Sequence, residues 1–349
     1  MTNSLFFAVF SGLAILYLAW GWRILPREQW QVLASVPRTK QTDGSWQGVN
    51  FTYYGLLTAN AYALSIFVYL LLTSSIHVPI GAAVLVLLIS LFICVPASRW
   101  VARLVEGKQN TFTIGGASFL AILFLPLLIT SLNLALPRFD GRPIPFLGTL
   151  AAISIAYAIG ESLGRLACVS FGCCYGKPVD EAPSWIRPLF RNLNFRFEGP
   201  IKKASYEGKN ENRPLVPVQA VTSTVLLATA LIGIALFLAG HFAVSLLTTI
   251  GITQAWRLAS EFLRADFRGT RKFTAYQWMA AGSVLYVTAV VVLSPASPVS
   301  IPSLSEGFSF INVGTILLVQ GIWAATFIYT GRSTVTGSTL NLHVRNEQI

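Results

Sequence analysis

The chain has 349 residues, 54% of them hydrophobic and only 11% charged, with a mean hydropathy of +0.62. A soluble domain carries about 25% charged residues, so this composition excludes a soluble globular protein and points to repeated membrane crossing. The net charge of +11 sits in connecting segments, where it speaks of membrane topology and anionic lipid rather than nucleic acid.

Nine apolar runs reach, or nearly reach, the length that about 30 Å of hydrocarbon requires: residues 4–22, 53–74, 79–97, 112–136, 146–174, 217–240, 243–263, 275–294 and 310–330. The third is short and ends at a proline, and the seventh is polar for a span. The expected architecture is all-α, a multi-pass transmembrane helical bundle of about nine spans. One polar insert, 177–215, lies between the fifth and sixth runs and is expected outside the membrane. The start of the chain lacks a basic segment before its first apolar run, so no cleavable signal peptide is expected.

Loops after the odd-numbered runs hold 21 of the 25 basic residues, whereas the opposite loops hold only Arg138 and Arg142. The positive-inside rule would place the basic face, insert included, in the cytoplasm.

Two runs carry charge where hydrocarbon disfavours it. In Gly160-Glu161-Ser162-Leu163-Gly164-Arg165, Glu161 and Arg165 stand four apart on one helical face, where they can pair. Glycines around them leave room for another backbone or a lipid headgroup. In the seventh run, Arg257, Glu261 and Arg264 follow at intervals of four and three, again on one face. Ionisable groups inside a span cost about 2.5–3.5 kcal/mol each on insertion scales and are functional candidates for that reason; the plainer alternatives are a helix–helix staple for the first pair and snorkelling for Arg264 and Arg268.

Lesser candidates are Tyr54, which opens the second run beside the aromatic-belt residue Tyr53, and Gln219, which opens the sixth and could equally bond a neighbouring helix. Three of the four cysteines (Cys168, Cys173, Cys174) fall just after Arg165. They form no disulfide framework, and they read as small buried hydrophobes more readily than as nucleophiles. The three histidines are scattered, so neither a metal site nor a cofactor is expected.

At these residues the chain resembles the prolipoprotein diacylglyceryl transferase family. The family signature G-R-x-G-N-F-x-N-G-E-x-x-G aligns without a gap from Gly164-Arg165 through Gly172 to Gly176. Tyr54-Gly55-Leu56, Pro217-Val218-Gln219 and Arg257…Glu261-Phe262-Leu263-Arg264 resemble further family marks in order. The pattern departs at Ala167, Cys168, Val169, Phe171 and Cys173, at Ile114 and Val216 where the family has histidines, and at Thr253 where it has tyrosine.

The resemblance spans roughly 50–295, and implies an extra N-terminal span and loop (1–50), a transferase-like core (51–295) and an extra C-terminal span and tail (296–349). It implies an enzyme of the inner (cytoplasmic) membrane that moves a diacylglyceryl group from phosphatidylglycerol to the lipobox cysteine of a prolipoprotein. The alternatives are a phospholipid-using transferase with another acceptor and a non-catalytic lipid-binding protein. Arg165 and Arg257 are assigned to the phosphate, Glu161 or Glu261 to proton transfer or to holding those arginines, and Tyr54, Gly164, Gly172, Gly176, Gln219 and Arg264 to the substrate. In the family the face bearing the insert is periplasmic, opposite to the charge rule. Basic residues that recruit anionic lipid reconcile the two, and the family orientation is the expectation.

Overall fold

The computed structural model describes residues 3–107, 114–135, 143–265, 273–294 and 301–349. The first five apolar runs form α1 (Asn3–Ile24), α2 (Tyr53–Ser75), α3 (Ile80–Glu106), α4 (Ile114–Ala135) and α5 (Phe146–Phe171). The insert contributes two single turns, α6 (Arg187–Phe190) and α7 (Lys203–Tyr206). Then follow α8 (Val218–Leu238), α9 (Phe242–Ser260), α10 (Ala275–Leu293), the short α11 (Leu304–Gly307) and α12 (Val313–Gly331). Among the described residues, eight helices are long and apolar enough to cross a membrane, so the chain is a multi-pass helical membrane protein. The ninth long helix, α9, is less apolar because its last turns carry Gln254 and Arg257. Residues 112–113 and 136 of the expected fourth run lie outside the described residues, as do the boundary near 295 and Lys108, Arg138, Arg142, Arg268, Arg271 and Lys272.

Three boundaries differ from the sequence reading. The third run does not stop at Pro96. Helix α3 passes through it and ends at Gly107, which adopts φ 67. Proline costs a helix one backbone donor, but an apolar segment in lipid has no better way to pair the remaining backbone groups. Helix α5 ends at Phe171 rather than 174, because Gly172 turns left-handed at φ 72. Helix α9 ends at Ser260, and Glu261–Leu263 tighten into a 3₁₀ turn.

The bundle is built around α5, whose span is the most buried. Hydroxyls join it to its neighbours: Ser65 of α2 donates to the Ala156 carbonyl, and Ser162 of α5 and Ser223 of α8 each donate to the other's carbonyl. Such side chains pair inside the helix interface instead of leaving polar atoms in hydrocarbon. By contrast α12 is almost wholly exposed on its outer faces, as a lipid-facing helix should be.

Successive helices alternate in direction. The ends of α1, α3, α5, α9 and α12 and the starts of α2, α4, α8 and α10 therefore meet at one end of the bundle, with the insert. A small antiparallel sheet lies there too, formed by β1 (Val32–Lys40), β2 (Trp46–Thr52) and β3 (Arg332–Leu340), with β2 in the middle. Its interior is polar. Asn50, 2% exposed, accepts from Ser35 and Ser338 and donates to Thr336 Oγ1 at 3.3 Å. The insert is anchored below the sheet by Lys202, which is fully buried. Its Nζ donates to the Leu25 carbonyl at 2.9 Å and the Ser170 carbonyl at 2.6 Å, tying the last turns of α1 and α5 to the insert.

Candidate active site

Helix α5 presents Tyr157, Glu161 and Arg165 along one stripe, at the four-residue spacing that brings side chains together. Glu161 accepts from Arg165 Nη2 and Tyr157 Oη on its own helix, and from Arg257 Nη2 of α9 at 2.7 Å. Arg257 Nη2 also donates to Tyr157 Oη at 2.6 Å. The side chains of Glu161, Arg165 and Arg257 are 4%, 11% and 12% exposed. One carboxylate thus holds two guanidinium groups from two helices. Two guanidinium groups share this one carboxylate in a poorly hydrated place, a setting that suits an anionic ligand. Arg165 Nε is buried and has no partner, although each guanidinium has five donors to place.

Room for Arg257 is provided by Gly115 of α4, where a Cβ would lie 2.7 Å from Arg257 Nη1 and 3.0 Å from the Tyr276 ring. Beside Tyr157 opens an apolar cleft between α4, α5, α9 and α10, lined by Ile122, Leu125, Leu150, Ile153, Leu246 and Val287 among others. An apolar cleft next to a cationic cluster matches an amphiphile with two kinds of end.

The structure brings Glu161, Arg165 and Arg257 together. Helix α9 stops before Arg264, so Arg257, Glu261 and Arg264 do not lie along one continuous helical face as expected. The backbone of Arg264 instead pairs with Gly176, flanked by bonds from Lys177 N to Leu263 O and from Ala265 N to Tyr175 O. Glu261 opens the 3₁₀ turn and is half-buried. Tyr54 packs edge-on against Phe171, with ring centroids 5.9 Å apart.

The glycines divide by role. Gly172 terminates α5, and Gly176 lets the Val216 carbonyl approach its Cα. At Gly164 a Cβ would meet only Ala61, at 3.9 Å, so that face is uncrowded. Gln219 Nε2 donates to the Cys173 carbonyl at 2.9 Å, while its Oε1 is buried and unpartnered. The cysteines are not separately packed residues, because the sulfurs of Cys168, Cys173 and Cys174 all lie within 4.8 Å of one another.

Tyr157, Gly115 and Lys202 were not singled out by the sequence reading. Tyr157 had a signal, since it lies four before Glu161 on the stripe that Arg165 continues. Gly115 had one too, following Ile114 in the stretch that resembles the family's His-Gly-Gly, whereas Lys202 acts across the fold and had none.

A family model for prolipoprotein diacylglyceryl transferase matches residues 45–293. That stretch holds α2 to α10 and every residue of the charged cluster. No curated protein and no solved structure matches the chain. With most of its length matched, and with an anion-seeking cluster beside an apolar cleft within that stretch, the chain belongs to the prolipoprotein diacylglyceryl transferase family, and is a transferase.

Proposed function

We propose that the chain transfers a diacylglyceryl group from phosphatidylglycerol to the lipobox cysteine of a prolipoprotein, in the inner (cytoplasmic) membrane. The observation that carries this reading is the pair Arg165 and Arg257, both held by Glu161 at the edge of an apolar cleft. The phosphate meets the two arginines, for which planar forked donors are suited, and an acyl chain occupies the cleft beside Tyr157.

In the reaction the acceptor sulfur forms a C–S bond to the glyceryl carbon. The C–O bond to phosphate breaks, and its electron pair leaves with glycerol phosphate. Arginines fixed before the reaction stabilise the charge that the leaving group gathers, at no cost in reorganisation. Glu161 already accepts from three donors, so its role is to hold the arginines. The thiol proton is assigned to Glu261, four residues after Arg257 at the turn that follows α9.

The test is purified protein in vesicles of phosphatidylglycerol with a labelled glycerol headgroup, with and without a lipobox peptide. The expected result is labelled glycerol phosphate released in step with a peptide mass increased by one diacylglyceryl group. Release without peptide modification would move the acceptor elsewhere, a reading that the departures at Ile114, Cys168 and Cys173 favour. No release with any acceptor would overturn the proposal.

A further inference from the structure

The cysteine cluster stands outside the chemistry above, and its geometry has a simple origin. Gly172 in the left-handed region ends α5 with two bonds: Cys173 N to Cys168 O at 3.0 Å and Gly172 N to Val169 O at 3.2 Å. This pair of bonds defines a Schellman cap, whose geometry sets the side chain two past the helix end against the one three residues inside it. Here those side chains are Cys173 and Cys168. Cys174 then takes φ 55, a value that costs a residue with a Cβ about 1 kcal/mol or more, and this turn brings the third sulfur to the other two.

The surroundings hold that arrangement in place. Gln219 bonds the Cys173 carbonyl, and Lys202 bonds the Ser170 carbonyl in the last turn of α5. The turn carrying Lys202 and Lys203 packs against Gly172, where a Cβ would lie 3.1 Å from Lys202 Cβ. Arg165 stands one turn before Cys168 on α5, and the backbone of Arg264 pairs with Gly176, two residues after Cys174.

We propose that Cys168, Cys173 and Cys174 form a three-thiolate zinc site with an open fourth position, beside the arginines. Four-coordinate zinc holds thiolates at about 2.3 Å, which sets neighbouring sulfurs roughly 3.8 Å apart, a spacing these sulfurs reach with little movement. Three thiolates and Zn²⁺ leave one negative charge, which Arg165 and Arg264 are placed to offset. The same thiolates around copper(I) would leave two.

Among the described residues no histidine or carboxylate joins the three sulfurs, so the fourth position is left for water or a substrate atom, as in zinc sites that act on substrates. A thiol bound there loses its proton outright. That use of the site rests on the transferase reading, whereas the metal binding does not.

The experiment is metal analysis of the full chain, purified from membranes under reducing conditions. Cobalt(II) substitution follows the sulfur-to-metal charge-transfer absorption. One equivalent of zinc is expected, together with a cobalt spectrum of thiolate ligation. Cys173→Ser should lose both, Cys94→Ser on α3 should lose neither, and Gln219→Ala should weaken zinc roughly tenfold through its hold on the Cys173 carbonyl. Should Cys173→Ser fail to fold, titrating the wild-type thiols with and without added zinc gives the same answer, since bound zinc should protect three of four. Wild-type protein that binds no zinc, binds copper in its place, or carries a Cys168–Cys173 disulfide as isolated would overturn the proposal. Each result is read without the transfer assay, so it stands whatever that assay returns.

Discussion

Glu161 is the residue on which the charged cluster depends. Replacing it with glutamine removes the one anion between two buried guanidinium groups, and breaking such a pair costs about 3–5 kcal/mol. Glu161→Gln should therefore lower thermal stability in detergent as well as activity. Arg165→Ala should leave expression mostly intact and reduce glycerol phosphate release by about 10²–10³-fold, the loss that follows when one charge-stabilising donor is removed. Arg165→Lys should recover little, because a point charge cannot replace a planar fork. Gly115→Ala separates positioning from stability. Alanine suits a helix better than glycine by up to about 1 kcal/mol, yet its Cβ would stand 2.7 Å from Arg257 Nη1. Activity should fall while the melting temperature holds. A fully active Gly115→Ala would show that Arg257 need not sit where the structure has it.

At the scale of elements, the helices were legible and their interfaces were not. Nine apolar runs became, among the described residues, nine long helices, because in lipid a helix alone can pair a single segment's backbone. Glu161 and Arg165 were legible as a pair because they lie on one helix. The capture of Arg257 by Glu161 was not, since it depends on how α9 crosses α5. The strands were missed because their shared interior is built on Asn50, Ser35, Thr336 and Ser338. Polar residues there leave no apolar alternation to read.

Lys202 links three elements, and its environment has a measurable consequence. Burial lowers its pKa to about 7, against an ordinary value of 10.5, while Glu198 and Glu28 pull weakly the other way. The neutral amine still has two donors for the Leu25 and Ser170 carbonyls. Between about pH 7 and pH 10.4 the unfolded lysine binds more protons than the folded one, so stability should rise with pH across that window. Thermal melts of wild type against Lys202→Met should show the rise in the first and its loss in the second, from a lower starting value because two carbonyls lose their partner.

At the scale of the whole molecule, the insert, the sheet and the cluster share one face, which also gathers the basic residues. We propose that this face lies toward the periplasm, where an exported acceptor would present its thiol. Glu211 lies on the exposed rim of the insert. With the native cysteines replaced, Glu211→Cys should react with a membrane-impermeant maleimide in intact cells. Reaction only after permeabilisation would place the face in the cytoplasm and remove prolipoproteins as acceptors.

The sheet also bears on the order in which the molecule is completed. Its central strand β2 runs without a break into α2, which begins at Tyr53 and carries Tyr54. One neighbour, β1, is synthesised just before it, so that hairpin closes early. The other, β3, pairs Trp46 with Leu340 and Gly48 with Ser338, partners that lie far later in the chain, beyond every helix of the bundle. Until those are made β2 keeps an open edge, an invitation to other chains. Gly55, just beyond it, likewise waits for Gly331, whose backbone fills the space where a side chain would go. The segment leading into Tyr54 is therefore completed only after α12 has been made, and a ribosome that stalls before α12 leaves a protein with every member of the charged cluster in place and its sheet unclosed.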